Sequence, residues 1–242
     1  MDPARIVDEI RNRYCMCRSY SDDGYVEVRK AEHLEGLVEF RTFYKQPNQF
    51  RFEFKKNAPL GKLMNFTVRK NRNECYSHSP EMGEREEVSD LNTAIAGVTG
   101  VSFGASVHVP ALLMPAIRCH RLIDYEDYRL VDEIDMDGQQ CYLLETEDQN
   151  TTIKIAVSKS DYSIAEINKE TAESDDEQVS EVLSRIPPDL LEQYLDFIKT
   201  DEFRDRLKEP TRIRYEYTSR TFDAEIGEDV FLSRFRRLSF RP

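Results

Sequence analysis

The sequence predicts an α+β fold in which one antiparallel sheet carries its helices in separate segments. Three observations support this prediction: stretches of alternating apolar and polar residues, short turns between them, and helical patterns confined to a few regions. Along the chain, a helix and five strands precede an apolar segment. Four strands, two helices and a final strand or two follow it. This order differs from the βαβ alternation of nucleotide-binding folds.

The hairpin at residues 38–54 has the clearest strand pattern. Apolar and polar residues alternate on both sides of a turn at Lys45–Asn48, which contains proline and asparagine, two residues that favour turns. Successive side chains of a strand point to opposite faces, so one face is expected to be buried and the other wet. The residues expected on the buried face are Phe50, Phe52 and Phe54. Those expected to face water are Arg51, Glu53 and Lys55.

The other elements follow from similar patterns. Asp2 caps a first helix that has Pro3 in its first turn and ends near Arg18. The strands of the first half are expected at about 23–30, 37–44, 49–56, 63–70 and 72–78. Those of the second half are expected at about 126–134, 139–147, 151–158 and 161–168, with an Asp-Gly hairpin turn at 137–138. The last strand contains Ile213, Tyr215 and Tyr217.

An apolar segment separates the two halves of the predicted sheet. Ser89 can cap a short helix that ends at Gly100, and the nearly uncharged stretch Val107–Pro115 follows. From Val101 to His120 the chain carries no acidic residue, although such residues are frequent elsewhere. Because so apolar a loop cannot lie in water, it is expected to cover or plug something.

One domain spanning residues 1–242 is expected, since this length suits a single large domain. An acidic stretch from Glu173 opens a helical insertion at about 173–209, in which two apolar stripes flank Pro187 and Pro188.

Composition argues against several classes of partner. A net charge of −12 disfavours nucleic acid or an anionic membrane as the main partner, and no apolar run approaches the roughly 18 residues of a transmembrane segment. The basic cluster at 234–241 is expected to be a solvated end. If Met1 is the native start, the lack of an apolar leader and the five unpatterned cysteines predict the cytoplasm. A signal peptide missing from this sequence would instead predict the periplasm.

Catalytic and metal-binding patterns are weak. Gly100–Gly104 matches the nucleophile elbow of serine hydrolases, but that elbow needs a preceding strand and a following helix. No acidic residue lies between Ser102 and His120, so the hydrolase order of serine, acid and histidine is not met. Cys15 and Cys17 lack zinc-site spacing, as do the histidines. We therefore expect no catalytic residue, metal or cofactor, with a serine hydrolase using Ser102 as an alternative.

Several of these segments, in this order, resemble the bacterial outer-membrane lipoprotein carrier superfamily (LolA/LolB-like). The most specific is Phe40–Phe52, with the pattern F-x-T-x-x-x-x-P-x-x-F-R-F. The others are Tyr14–Gly24, Asp137–Leu144, Ile213–Tyr217 and Asp223–Phe231. The resemblance covers most of the chain apart from the acidic insertion.

The resemblance implies an incomplete β-barrel, a curved antiparallel sheet closed by helices and an apolar lid. Its concave face would line a hydrophobic cavity for a lipid or an acylated, lipoprotein-like ligand, in a non-enzymatic protein with an as yet unknown protein partner. The cavity residues would be Phe40, Phe50, Phe52, Phe54 and Phe66. The lid residues would be Leu112, Leu113 and Met114.

Two alternatives to a carrier follow from the same fold. The superfamily fold also occurs in envelope-stress regulators, so the chain could be a sensor or regulatory interaction module whose acidic helices bind a partner. The lid and the phenylalanines could also fill each other's space and leave a solid core.

Overall fold

The computed structural model describes residues 1–57, 63–72, 74–80, 85–119, 121–175, 179–180 and 200–232. Its eleven strands form one antiparallel sheet in the order β6-β5-β4-β3-β2-β1-β11-β10-β9-β8-β7. The strands are β1 Ser19–Lys30, β2 His33–Lys45, β3 Gln49–Asn57, β4 Leu63–Asn71, β5 Glu74–His78, β6 Arg85–Glu87, β7 Arg129–Met136, β8 Gln139–Asp148, β9 Thr151–Ser158, β10 Ile164–Thr171 and β11 Thr211–Phe222.

The predicted fold class is confirmed. The sheet curves around an apolar core and stays open, since β6 and β7 form its two ends and do not pair with each other among the described residues. Helices precede β1, lie between β6 and β7 or between β10 and β11, or follow β11. Those with described bounds are α1 Pro3–Met16, α2 Leu91–Thr99, α3 His108–Leu113, α4 Asp201–Lys208 and α5 Glu228–Leu232, with a 3-10 turn at Leu122–Asp124. The architecture is an α+β incomplete barrel.

The first helix follows its predicted pattern. The Asp2 carboxylate accepts a hydrogen bond from the amide of Ala4 at 3.1 Å, and Pro3 occupies the first position. The helix ends at Met16 rather than near Arg18, because Cys17 is already extended and the next strand begins two residues later. Its buried stripe contains Ile6, Val7, Ile10 and Tyr14.

The predicted strands are present, and β6 is an additional one, but several bounds differ by three or four residues: β1 and β2 begin earlier than expected, and β7 and β10 begin later. β1 begins at Ser19 rather than near residue 23, because its polar first residues pair along their backbone with both β2 and β11. β6 is a three-residue strand that the sequence pattern missed. The Asp137-Gly138 turn joins β7 and β8 with positive φ at both residues, as a tight hairpin turn requires.

Helix α2 is capped by Asp90 and not, as predicted, by Ser89. The Asp90 Oδ1 atom accepts from the amide of Thr93 at 3.0 Å, whereas the Ser89 hydroxyl donates to the Asp90 carboxylate at 3.1 Å. The helix begins one residue later than the pattern indicated, and the stronger acidic acceptor takes the cap position.

Replacing Asp90 with alanine is expected to lower the free energy of unfolding by about 1 kcal/mol, because the first amides of α2 lose their acceptor. Urea titration measures this loss. Ser89→Ala is the matched control and should cost less than about 0.5 kcal/mol. Equal losses in the two variants would contradict the assignment of the cap.

The segment Val107–Pro115 is mostly helical, although the sequence predicted an apolar loop. Pro110 lies in the first turn of α3, where the missing amide hydrogen has no helical partner, and Pro115 follows the helix end. All six residues of α3 are buried. From Leu91 to Ile117 the chain has no Asp, Glu, Lys or Arg, and this stretch packs over the apolar face of the sheet. We call residues 91–117 the lid.

The expectation that Arg51 and Glu53 face water is wrong. Their exposed fractions are only 2% and 4%, because α5 covers that face of β3. The two side chains form an ion pair, and Arg51 Nη1 donates to the carbonyl of Val230 at 2.8 Å. Lys55 is half-buried and pairs with Glu39 at 2.9 Å.

Most of the predicted acidic insertion at 173–209 lies outside the described residues, as does the basic cluster at 234–241. Within the insertion, Val179 is buried and α4 begins after Thr200, whose hydroxyl accepts from the amide of Phe203 at 3.2 Å.

Candidate functional site

The predicted aromatic face lies in the centre of the core. Pairing between the strands places Phe54 opposite both Phe40 and Phe66, and Phe52 beside them on the same face. The rings of Phe54 and Phe66 stack with their centroids 4.7 Å apart, and those of Phe40 and Phe52 lie 6.1 Å apart. Phe40, Phe50, Phe52 and Phe54 are fully buried, and Phe66 is half-buried.

The predicted lid residues pack against the same core. Leu112 and Leu113 are almost fully buried, and Met114 is half-buried beside them. All eight residues predicted for the ligand site therefore belong to one hydrophobic cluster, which the structure brings together. The buried phenylalanines contact side chains rather than solvent, so their assignment to a ligand cavity stays a prediction.

An open pocket of about 250 Å³ lies where the lid meets the end of the aromatic face. Its inner wall is apolar, and its rim carries amide and charged groups. The lining residues are Tyr44, Pro47, Asn48, Lys70, Asp90, Leu91, Asn92, Leu113, Met114, Pro115, Ala116 and Ile117. Leu113 and Met114 were predicted from the sequence, and Phe50 lies directly behind, opposite Tyr44 and Lys70 in the sheet. This pocket is the candidate ligand site.

Sequence reasoning missed most of the pocket, although part of the signal was present. Tyr44 continues the alternation that marks Phe40, and Lys70 continues the one that marks Phe66 and Val68. Their polar atoms hid this periodicity. Asp90 was missed for a different reason, since it lines the rim only because it caps α2.

Asp22 is a buried carboxylic acid on the same face of the sheet. Its Oδ2 atom accepts from the Tyr20 hydroxyl at 3.0 Å, and its Oδ1 atom accepts from the amide of Thr42 at 2.9 Å. Burial raises the pKa of Asp22 to about 7, against the lowering effect of these hydrogen bonds. The hydroxyl of the neighbouring Tyr217 is buried without a hydrogen-bond partner among the described residues. The raised pKa places the titration of the Asp22 carboxyl group near neutral pH.

His108 is a buried, neutral residue of the lid. Its imidazole meets the Tyr215 ring edge-on with centroids 4.6 Å apart, and its Nε2 atom has no partner among the described residues. Burial lowers the pKa of His108 well below its usual value. The Tyr215 hydroxyl donates to the carbonyl of Phe103 at 2.6 Å, which ties the lid to the sheet.

Ser102 lies in a turn after α2 and not in a strand–helix elbow. Its side chain is fully buried, and its hydroxyl hydrogen-bonds to the carbonyl of Thr99 and the hydroxyl of Ser106, both at 3.2 Å. Gly104 closes the turn with a φ of +87°. In the part of the chain that the structure describes, no histidine hydrogen-bonds to Ser102, so its contacts give no support to a nucleophilic role.

Metal-binding geometry is absent from the described residues, which contain no group of three or more His, Cys, Asp or Glu side chains placed to hold an ion. All five cysteines are free thiols. Among the described residues no helix combines the length and the apolar character that a membrane crossing needs.

Comparison with known proteins gives structural matches alone. No family model matches the chain, and no curated protein matches it. Three solved structures illustrate the matches. A putative outer membrane lipoprotein-sorting protein domain from Vibrio parahaemolyticus is 10% identical, with 94% of this chain and 95% of that chain covered and a TM-score of 0.38. The LolA superfamily protein NE2245 from Nitrosomonas europaea is 10% identical, with 96% and 97% covered and a TM-score of 0.33.

The third is the complex structure of MucA/MucB from Pseudomonas aeruginosa. It is 11% identical over 96% of this chain and 60% of the matched chain, with a TM-score of 0.44. Identities this low, with TM-scores below 0.5, carry no argument about function.

Proposed function

We propose that the protein is a non-enzymatic binding protein for a lipid or acylated ligand, which enters between the lid and the aromatic face. The observation that carries this proposal is the 250 Å³ pocket at the junction of these two surfaces. Seven lid residues, Leu113 and Met114 among them, line it, and the buried phenylalanines begin directly behind it.

The chemistry of the lid supports an apolar ligand. Residues 91–117 contain no Asp, Glu, Lys or Arg, and burial keeps His108 neutral, in a chain that is 33% charged. Contacts between the lid and the sheet are therefore mostly non-directional apolar contacts, which an acyl chain can replace without leaving polar groups unpaired. Each buried methylene contributes roughly 0.8 kcal/mol, from which the cost of ordering the chain is subtracted.

The size of the pocket sets a condition on binding. Sites for small molecules usually measure about 300–1,000 Å³. A pocket of 250 Å³ therefore accepts a head group and a few methylenes. A longer chain needs additional space between the lid and the aromatic face, so binding is expected to be coupled to lid movement.

Two measurements on the wild-type chain test the proposal. Native mass spectrometry of the gently purified protein is expected to detect a bound lipid, and titration with a fluorescent fatty acid is expected to saturate at one site. A protein that carries no lipid and binds no fatty acid would not be a binding protein of this kind.

Replacing Ala116 with tryptophan is expected to weaken binding of the fluorescent fatty acid at least tenfold. Ala116 lines the pocket and is exposed, so the indole ring can fill the entrance without disturbing the core. Ala116→Ser is the matched control and should bind like the wild type. Unfolding curves for both variants should match the wild-type curve, and full binding by Ala116→Trp would place the ligand elsewhere.

The alternative of a regulatory interaction module rests on the acidic insertion at 173–209, most of which lies outside the described residues. It stays a prediction from the sequence. Deleting the insertion from an otherwise intact chain would abolish capture of a partner but spare fatty-acid binding if this alternative is right.

A further inference from the structure

We propose that Lys70 selects ligands with an anionic head group, so that the pocket takes a single-chain amphiphile ending in a carboxylate or a phosphate. The inference rests on the proposed function and adds the chemistry of the head group. It follows from where Lys70 lies in the sheet and from which polar groups of the rim already have partners.

Lys70 is a charged residue on the apolar face. In the register of the sheet it stands opposite Phe50 on one side and Cys75 on the other, and Phe50 in turn stands opposite Tyr44. Directly opposed residues of antiparallel strands share a face, so these four residues form one row across β2 to β5. Phe50, Cys75 and Tyr44 belong to the buried core, which makes Lys70 the cation at its open end.

The acid at the same rim, Asp90, forms no ion pair with Lys70. Asp90 Oδ1 accepts from the Thr93 amide at 3.0 Å, and Oδ2 accepts from the hydroxyls of Ser89 and Thr93 at 3.1 and 3.2 Å. Its negative charge also lies at the positive end of the α2 dipole. These hydrogen bonds, the Thr93 amide foremost, lower the pKa of Asp90. Both carboxylate oxygens are therefore committed to the helix cap.

The side-chain amide of the neighbouring Asn92 also has hydrogen-bond partners within the lid and just beyond it. Asn92 Nδ2 donates to the carbonyl of Ala116 at 3.2 Å, and its Oδ1 accepts from the Arg118 amide at 2.7 Å. Lys70, by contrast, has no hydrogen bond or ion pair with any described residue. Its ammonium group has three donors for an anion at the mouth, while the apolar wall receives the first methylenes of the chain.

Three ligands with the same chain separate head-group recognition from chain binding: dodecanoate, dodecyl phosphate and neutral dodecanol, titrated by calorimetry at pH 8. Wild-type protein is expected to bind both anions more tightly than dodecanol, and increasing salt should reduce that preference. Lys70→Met keeps the apolar stem and removes the charge. It is expected to weaken binding of the anions about tenfold, as loss of a charge-assisted hydrogen bond does, and to leave dodecanol binding unchanged.

Lys154→Met is the control for net charge, since Lys154 lies on β9 and pairs with Glu145 at 3.3 Å. It should leave all three affinities at wild-type values.

If Lys70→Met binds dodecanol and both anions as tightly as the wild type does, Lys70 does not select the head group, and the proposed function still stands. Equal weakening of all three ligands in Lys70→Met would reduce Lys70 to a packing residue. A wild-type protein that binds none of them would overturn both proposals. A preference for one anion would identify the head group as carboxylate or phosphate.

Discussion

The free energy of unfolding of the wild-type protein is expected to fall by about 4 kcal/mol between pH 4 and pH 8 because Asp22 ionises, and Asp22→Asn is expected to abolish this fall. Burial raises the pKa of Asp22 from 3.8 to about 7, and each pKa unit corresponds to about 1.4 kcal/mol. The folded protein therefore keeps a proton that the unfolded chain has already released.

The direction of this pH dependence follows from the number of protons that each state binds. Between the two pKa values the folded state binds more protons than the unfolded state, so stability falls as pH rises. The contribution of Asp22 is fully present below pH 3.8, is lost as pH rises through about 7, and is constant above that. Around the carboxyl group lie the hydroxyls of Tyr14, Tyr20 and Tyr217 and, opposite on β11, Arg220.

Urea titrations of both proteins at five pH values from 4 to 8 measure the effect as a difference, which cancels the contributions of other acids. Asp8→Asn removes the same charge from the exposed surface of α1 and serves as the control. If the stability difference between wild type and Asp22→Asn were independent of pH, Asp22 would be ionised throughout the range.

Arg51→Ala is expected to lower the free energy of unfolding by about 3–5 kcal/mol, because it leaves the Glu53 carboxylate buried without its cation. It also removes the donor to the Val230 carbonyl. The expected losses for an exposed pair are much smaller. Arg212→Ala breaks an ion pair to Glu170 whose side chains are more than half exposed, and should cost less than about 1 kcal/mol.

A double variant tests the mechanism of this loss. Arg51→Met combined with Glu53→Leu replaces the ion pair by apolar side chains of similar size, and such replacements are often close to neutral. It is expected to recover most of the stability that Arg51→Ala loses. A double variant as unstable as the single one would show that the contact with α5, rather than the buried charge, accounts for the loss.

The parts of the fold that the sequence predicted are those set by neighbouring residues. The turn at Lys45–Asn48 and the alternation around Phe50, Phe52 and Phe54 fix the β2–β3 hairpin locally, and the structure pairs these strands across that turn. The apolar stripe of α1 depends on helical spacing alone. Both patterns can be recognised without knowing what else packs against them.

The parts that it did not predict depend on residues far away in the chain. Arg51 and Glu53 are buried by α5, whose Val230 is 179 positions from Arg51. Asp22 lies in a polar stretch, and its burial depends on tyrosines from α1 and β11. The pocket shares this difficulty, because Lys70 and Ala116 meet there only after the lid has packed on the sheet.

The place of β11 at the centre of the sheet has a consequence for biosynthesis. The strand pairs with β1 from Tyr20 to Lys30, so the two meanders are joined by segments from opposite ends of the chain. Until residues 211–222 leave the ribosome, β1 and β10 each have a free edge on which other chains can pair. Contacts this distant in sequence also form slowly. During synthesis the two half-sheets are therefore expected to remain separate until β11 is available, and a chaperone that shields the edges of β1 and β10 would act at that stage.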